Sequence, residues 1–178
     1  MATNSIEEEL LFGRRHVNPI ATCNPNPNAG YYAIWLTKGS LLPQPFMDEL
    51  QKRNTQLLYI GLASKSLLKR LLHQELQHKN PATFFRSIGA VLGFRPAKGS
   101  LAGKRNQNNY KFTKNDTDYI TKWIDKNLEV SFVECDLIDC LEESLIAKYS
   151  PILNWTHSKD KFEPLRKCKD ECRLIARE

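Results

Sequence analysis

Gly30-Tyr31-Tyr32-Ala33-Ile34-Trp35-Leu36-Thr37 is the stretch from which the fold is read. It follows a run of turn formers, Asn24-Pro25-Asn26-Pro27-Asn28-Ala29, and is rich in aromatic and apolar residues, which predicts a strand over 31–37. On a period of two, Tyr32, Ile34 and Leu36 share one face while Tyr31, Ala33 and Trp35 share the other. A second strand is expected at 57–61, Leu57-Leu58-Tyr59-Ile60-Gly61. If the two pair antiparallel, Tyr32 and Tyr59 come to one face with their hydroxyls a few ångströms apart.

Outward from these strands the chain reads as helices and one further strand. Residues 64–78 carry Leu67, Leu68, Leu71, Leu72 and Leu76 on one stripe, and Arg70, His73, Gln74 and Gln77 on the other. Pro81 opens a helix over 82–92, and a Gly-, Lys- and Asn-rich loop covers 95–109. A helix at 114–127, a strand at 129–135 and a helix at 138–149, stopped before Pro151, complete the order, with a closing helix at 162–177. Ser5-Ile6-Glu7-Glu8 has capping-box spacing for a short first helix, and 46–53 reads as a helical turn.

At 178 residues the chain suits one well-packed domain. No apolar run approaches the roughly 18 residues of a membrane span. Glu7, Glu8 and Glu9 near the start are the wrong charge order for a signal peptide, so a cytoplasmic location is expected. The five cysteines lack Cys-x-x-Cys spacing, although Cys168 and Cys172 share one helical face. Free thiols are expected. The net charge of +6 is unevenly spread. Residues 62–126 hold 13 Lys/Arg against 4 Asp/Glu, while 127–154 hold 1 against 6. A basic middle beside an acidic segment suggests a polyanion partner and a place for a cation.

Helix 138–149 supplies a physical clue of its own. Its apolar stripe is Ile138, Leu141, Leu145, Ile146 and Tyr149, and Glu142 lies inside that stripe. A carboxylate there is costly unless it is paired, hydrogen-bonded or coordinating a metal. Glu143 lies on the flank, nearer solvent. Arg70, shortly after Tyr59, offers a permanently charged guanidinium suited to a phosphate. A tyrosine hydroxyl relays or accepts a proton only if a cation or metal lowers its pKa from about 10.

Taken in order, these residues resemble the GIY-YIG nuclease superfamily. Gly30-Tyr31-Tyr32 resembles its first motif and Tyr59-Ile60-Gly61 matches its second. Ser66-Leu67-Leu68-Lys69-Arg70-Leu71 resembles the helix that carries the family arginine. Glu142-x-x-Leu145-Ile146 and Pro151-x-x-Asn154 resemble its glutamate and closing asparagine. The resemblance implies an α/β (α+β) fold: a small three-stranded mixed, mainly antiparallel sheet flanked by helices. By resemblance, Tyr32 and Tyr59 position or deprotonate the attacking water and Arg70 steadies the scissile phosphate. Glu142 holds one Mg2+ or Mn2+ ion per active site, and Asn154 braces the site. The histidine usual one turn after the arginine is replaced by Gln74, with His73 one step earlier, so His73 joins the candidate set.

The expected organisation is an N-terminal extension at 1–29, a nuclease domain at 30–156 with an insertion at about 80–113, and a C-terminal helix at 157–178 packing on it. Residues 84–93 resemble an arm of restriction-enzyme-like and uncharacterised bacterial members. Lys98, Lys104, Arg105, Asn106, Asn108, Asn109 and Lys111, with Lys69 and Arg86, are the candidate DNA contacts. Lys and Arg meet phosphates, and Asn reads adenine edges. Gly99 to Lys104 is one residue short of a phosphate-binding loop, and Arg105 replaces its Ser/Thr, which excludes that motif. The expected activity is metal-dependent cleavage of DNA, most simply double-stranded. The alternative is a catalytically inactive DNA-binding module on the same scaffold.

Overall fold

The aromatic stretch does form a strand, β1 (Gly30–Leu36), and it is the centre of the sheet. In the computed structural model, which describes residues 3–13, 15, 25, 27–80, 82–136 and 140–178, β1 lies between β2 (Leu57–Ala63) and β3 (Leu128–Glu134). Both pairings are antiparallel, so among the described residues the sheet has no parallel component. Parts of the turn-forming run before β1, the helix-opening Pro81 and the stripe residue Ile138 lie outside the described residues.

Both faces of β1 are buried, each in its own core. Tyr32, Ile34 and Leu36 pack with Tyr59 beneath helices of the middle and end of the chain. Tyr31, Ala33 and Trp35 pack with Ile6, Leu10 and Leu11 of α1 (Thr3–Phe12) and with Leu141, Leu145 and Ile146 of α5 (Leu141–Tyr149). The period-two alternation therefore sorts residues between two apolar layers rather than between core and water. The N-terminal segment supplies one of those layers. It is tied down by the Leu10 carbonyl, which accepts from Ser131 Oγ at 2.6 Å, and by Glu7, which pairs with Lys148 at 2.6 Å.

Among the described residues, four further α-helices continue the chain around this sheet. α2 (Phe46–Lys52) ends at Arg53, whose guanidinium donates to the Ser150 and Asp160 carbonyls at 2.6 and 3.0 Å. α3 (Thr83–Val91) is buried along almost its whole length. α4 (Lys114–Asn127) starts at Thr113, whose hydroxyl oxygen caps the Asp116 amide at 3.1 Å. α6 (Glu163–Arg177) packs Leu165, Cys172 and Ala176 inward. The expected loop at 95–109 runs beside α6, with the Leu101 amide donating to the Ala176 carbonyl at 2.9 Å.

The helix after β2 departs from expectation in its winding. Leu68–Leu76 is a π helix, with hydrogen bonds from residue i to i+5, such as Gln77 N to Leu72 O at 3.0 Å. The leucine stripe is kept: Leu67, Leu71, Leu72 and Leu76 are buried and Leu68 packs against the core. What changes is the phase of the polar side chains, which decides the site described below.

His78, just past this helix, gives the fold a pH dependence. Its ring stacks on Phe85 with centroids 4.2 Å apart, and its Nδ1 is buried without a hydrogen-bond partner. Burial, reinforced by Arg86 and Lys111, pulls the imidazole down from 6.5 to about 4. A base with a depressed folded pKa contributes stability that is present above its unfolded pKa and is lost as pH falls towards the folded one. The expected cost is about 2 kcal/mol between roughly pH 7 and pH 5. Urea denaturation at both pH values should show His78→Asn losing that much less than wild type. An equal loss in both proteins would refute the assignment.

Candidate active site

The sheet register decides how the two tyrosines meet. Tyr32 faces Gly61 across the β1–β2 ladder, and Tyr59 faces Ile34. They are thus diagonal neighbours on one face, with ring centroids 6.3 Å apart. Gly61 is required by this packing: a Cβ there would lie far inside van der Waals contact with the Tyr32 ring carbons and hydroxyl. Tyr32 fills the space that any larger residue at 61 would claim.

Asn154 holds the outer edge of the same strand. Its side-chain oxygen accepts from Ile60 N at 2.9 Å, and its nitrogen donates to Ile60 O at 3.0 Å. The Leu153 amide adds a bond to the Leu58 carbonyl at 2.9 Å. Together they satisfy backbone groups that an edge strand would otherwise leave open. The strand carrying Tyr59 is therefore pinned on both sides.

Above these strands the π helix brings in Arg70 and Glu75. In an α-helix five residues turn through about 500°, leaving the two side chains about 140° apart. Winding with i to i+5 bonds instead stacks them, and Arg70 Nη2 lies 2.8 Å from Glu75 Oε1. Gln74 Oε1 accepts from Arg70 Nη1 at 3.1 Å, so both neighbours of that turn hold one guanidinium. The Arg70 side chain keeps 34% of its surface exposed, while Glu75 keeps none. Tyr32 donates to Glu75 Oε1 at 3.3 Å, and the Phe84 amide donates to Oε2 at 2.8 Å.

Glu75 is absent from the residues singled out in the sequence, yet the signal was there. It stands four residues after Leu71 and three after Leu72, inside the leucine stripe, as Glu142 stands inside its own. Burial pushes its carboxyl above the usual range, against the pull of Arg70, the Phe84 amide, Arg86 and Tyr32. Burial also pushes both tyrosines up, with Glu75 adding to it in each case. Both are therefore neutral phenols near pH 7, hydrogen-bond donors rather than ready bases.

A cavity of about 250 Å3 opens beside them. Its lining includes Tyr59, Glu142 and Asn154 together with Thr83, Trp155 and His157. Glu142 is half-buried in the first turn of α5, and burial raises its carboxyl against the opposing pull of Arg70, His157 and the Leu62 amide. Tyr32 is fully buried and does not line this cavity. Glu143 is exposed, 3.6 Å from His157.

The other candidates are scattered. His73 is half-buried and forms no side-chain hydrogen bond with this group; Gln74 is the neighbour that touches Arg70. Lys69 is exposed on the π helix. Lys98 pairs with Glu178 at 2.9 Å, and Lys104 donates to the Asn109 carbonyl at 3.0 Å. Asn106 accepts from the Asn108 amide at 2.9 Å, and Asn108 accepts from Arg173 Nε at 2.9 Å. Arg105 and Lys111 are exposed. Arg86 is buried in α3 and, with Asn108, lines a second cavity next to the first. That second cavity also holds Trp155, Arg166, Lys169 and Arg173, none of them singled out from the sequence.

A family model described as GIY-YIG catalytic domain matches residues 30–171, which takes in the whole sheet, every residue of the cluster above and the first part of α6. No curated protein and no solved structure matches the chain. Among the described residues no helix is long and apolar enough to cross a membrane, and the four described cysteines are free.

Proposed function

The chain belongs to the GIY-YIG catalytic domain family, whose function is of the nuclease type, and on that footing we propose that it is a divalent-metal-dependent endonuclease hydrolysing DNA phosphodiester bonds. The observation that carries the reading is the convergence of Tyr59, Glu142 and Asn154 on one cavity, backed by the Tyr32–Glu75–Arg70 cluster.

The donor set fits a hard divalent ion. Glu142 offers one half-buried carboxylate on an open cavity, which suits Mg2+ or Mn2+; such ions take one or two carboxylates and complete their shell with water and phosphate oxygens. When bound, the ion supplies positive charge to the phosphoryl and leaving oxygens.

The chain's own groups divide the remaining work. Tyr59, a neutral phenol at the cavity, orients the attacking water by hydrogen bonding. Arg70, anchored by Gln74 and Glu75, turns its exposed side to the phosphate and meets the charge that grows as water adds to phosphorus. Tyr32 has no solvent contact, so its part is to position Glu75 and, through it, Arg70. The basic stretch 62–126 supplies attraction for the polyanion.

Incubation with supercoiled plasmid tests the reading. Nicked and linear products are expected with Mg2+ or Mn2+, should vanish with chelator, and should return on adding metal back. Salt-sensitive DNA binding without cleavage in either ion would replace this reading with that of a binding module on the same scaffold.

A further inference from the structure

The second cavity, about 480 Å3, shares Thr83, Trp155, Thr156 and Lys169 with the cavity that holds Tyr59 and Glu142. Its walls are cationic. Arg86 enters from α3, and Arg166, Lys169 and Arg173 enter from α6, against the single carboxylate of Asp170. Asp170 is already shared: Arg166 Nε lies 3.5 Å from it, and Arg173 forms a close ion pair with it. Arg86 and Lys169 form no contact ion pair among the described residues, although Glu75 acts on both at longer range and Asp170 on Lys169. Arg86 is only 7% exposed, and its Nη1 is buried with no hydrogen-bond partner.

A buried guanidinium with no anion in contact and an unpaired N–H group is costly, and crowding further cations around it adds to the cost. The strain reaches Lys169, whose ammonium is pulled down to about 8 by burial and by Arg173 and Arg86. An anion entering this cavity relieves each of these penalties at once. The volume lies in the range of a nucleotide-sized ligand rather than of a lone small ion.

We propose that this cavity takes a phosphodiester group of the cut strand next to the scissile one, with Arg86 and Lys169 as its ligands and Trp155, which lines both cavities, between the two positions. The inference rests on the nuclease reading above and names a substrate contact for it. It also assigns α6 a binding role in addition to packing.

The test is duplex DNA binding by fluorescence anisotropy in chelator, across a salt series, for wild type, Lys169→Gln and Arg86→Met. Lys169→Gln is expected to weaken binding by the same factor for duplexes of different sequence, and to reduce the slope of log affinity against log salt by about 1. Lys169→Arg should restore both, and Lys167→Gln, at an exposed position on the same helix, should leave both as in wild type. If Arg86→Met fails to fold, the lysine variants decide. Wild-type affinity and slope in Lys169→Gln, in a protein that still cuts plasmid, would overturn the pocket and leave the nuclease reading standing. Absence of duplex binding and of cleavage by wild type would overturn both.

Discussion

Glu75→Ala is expected to lower the stability of the fold by about 3–5 kcal/mol, the cost of breaking a buried ion pair from one side. The carboxylate is wholly buried and holds three donors at once: Arg70, the Phe84 amide and Tyr32. Removing it leaves the Phe84 amide and the Arg70 guanidinium short of an acceptor, and opens a void beneath the π helix. Glu75→Gln keeps the shape and an acceptor for Arg70 and Tyr32, but sets an amide group or a weakened acceptor against the Phe84 N–H. Its loss should be smaller. Denaturation midpoints check the first claim; a Glu75→Ala protein within 1 kcal/mol of wild type would remove Glu75 from the framework of the site. Plasmid cleavage checks the second. With Arg70 less firmly held, Glu75→Gln should cut more slowly even where it is fully folded.

Glu75 also marks the boundary of what could be read from the residues. The period-two pattern placed Tyr32 and Tyr59 on one face, and the register makes them diagonal neighbours. That much is legible because side-chain direction in a strand depends only on parity. Glu142 and Glu75 each interrupt an apolar stripe, so each is legible as a carboxylate set among apolar residues. The π winding was not legible. It leaves no mark in residue type, since the same leucines serve an α or a π helix, and it depends on how the helix seats against the sheet. Without it, Arg70 and Glu75 read as residues on different sides. The cationic wall of α6 was hidden for a different reason. Arg86 and Lys169 are 83 positions apart in the chain, and only the packing of α6 on α3 brings them to one cavity. The amide-rich loop shows the converse. Asn106 and Asn108, read as groups for base edges, have acceptors engaged by the Asn108 amide and by Arg173.

Glu142→Gln should abolish most metal-dependent cleavage while leaving the fold intact. A cation's stabilisation of phosphoryl charge is worth several kcal/mol, and each 1.36 kcal/mol is tenfold in rate, so a loss on the order of 1000-fold is expected. Stability should change little or rise slightly, because a neutral amide at this half-buried position avoids the desolvation that raises the carboxyl. The pH dependence carries the sign of that shift. Cleavage needs the ionised form, so rate should fall as pH drops through the raised pKa of Glu142, at a higher pH than an ordinary carboxylate would give. A divalent ion favours the same ionised form, so raising Mg2+ should move the acid limb to lower pH. Glu143→Gln, at the exposed neighbour, should keep both the rate and the limb. Single-turnover cleavage across pH at two Mg2+ concentrations separates these outcomes. Equal rates for wild type and Glu142→Gln would detach the carboxylate from the chemistry, and an acid limb that ignores Mg2+ would detach it from the metal.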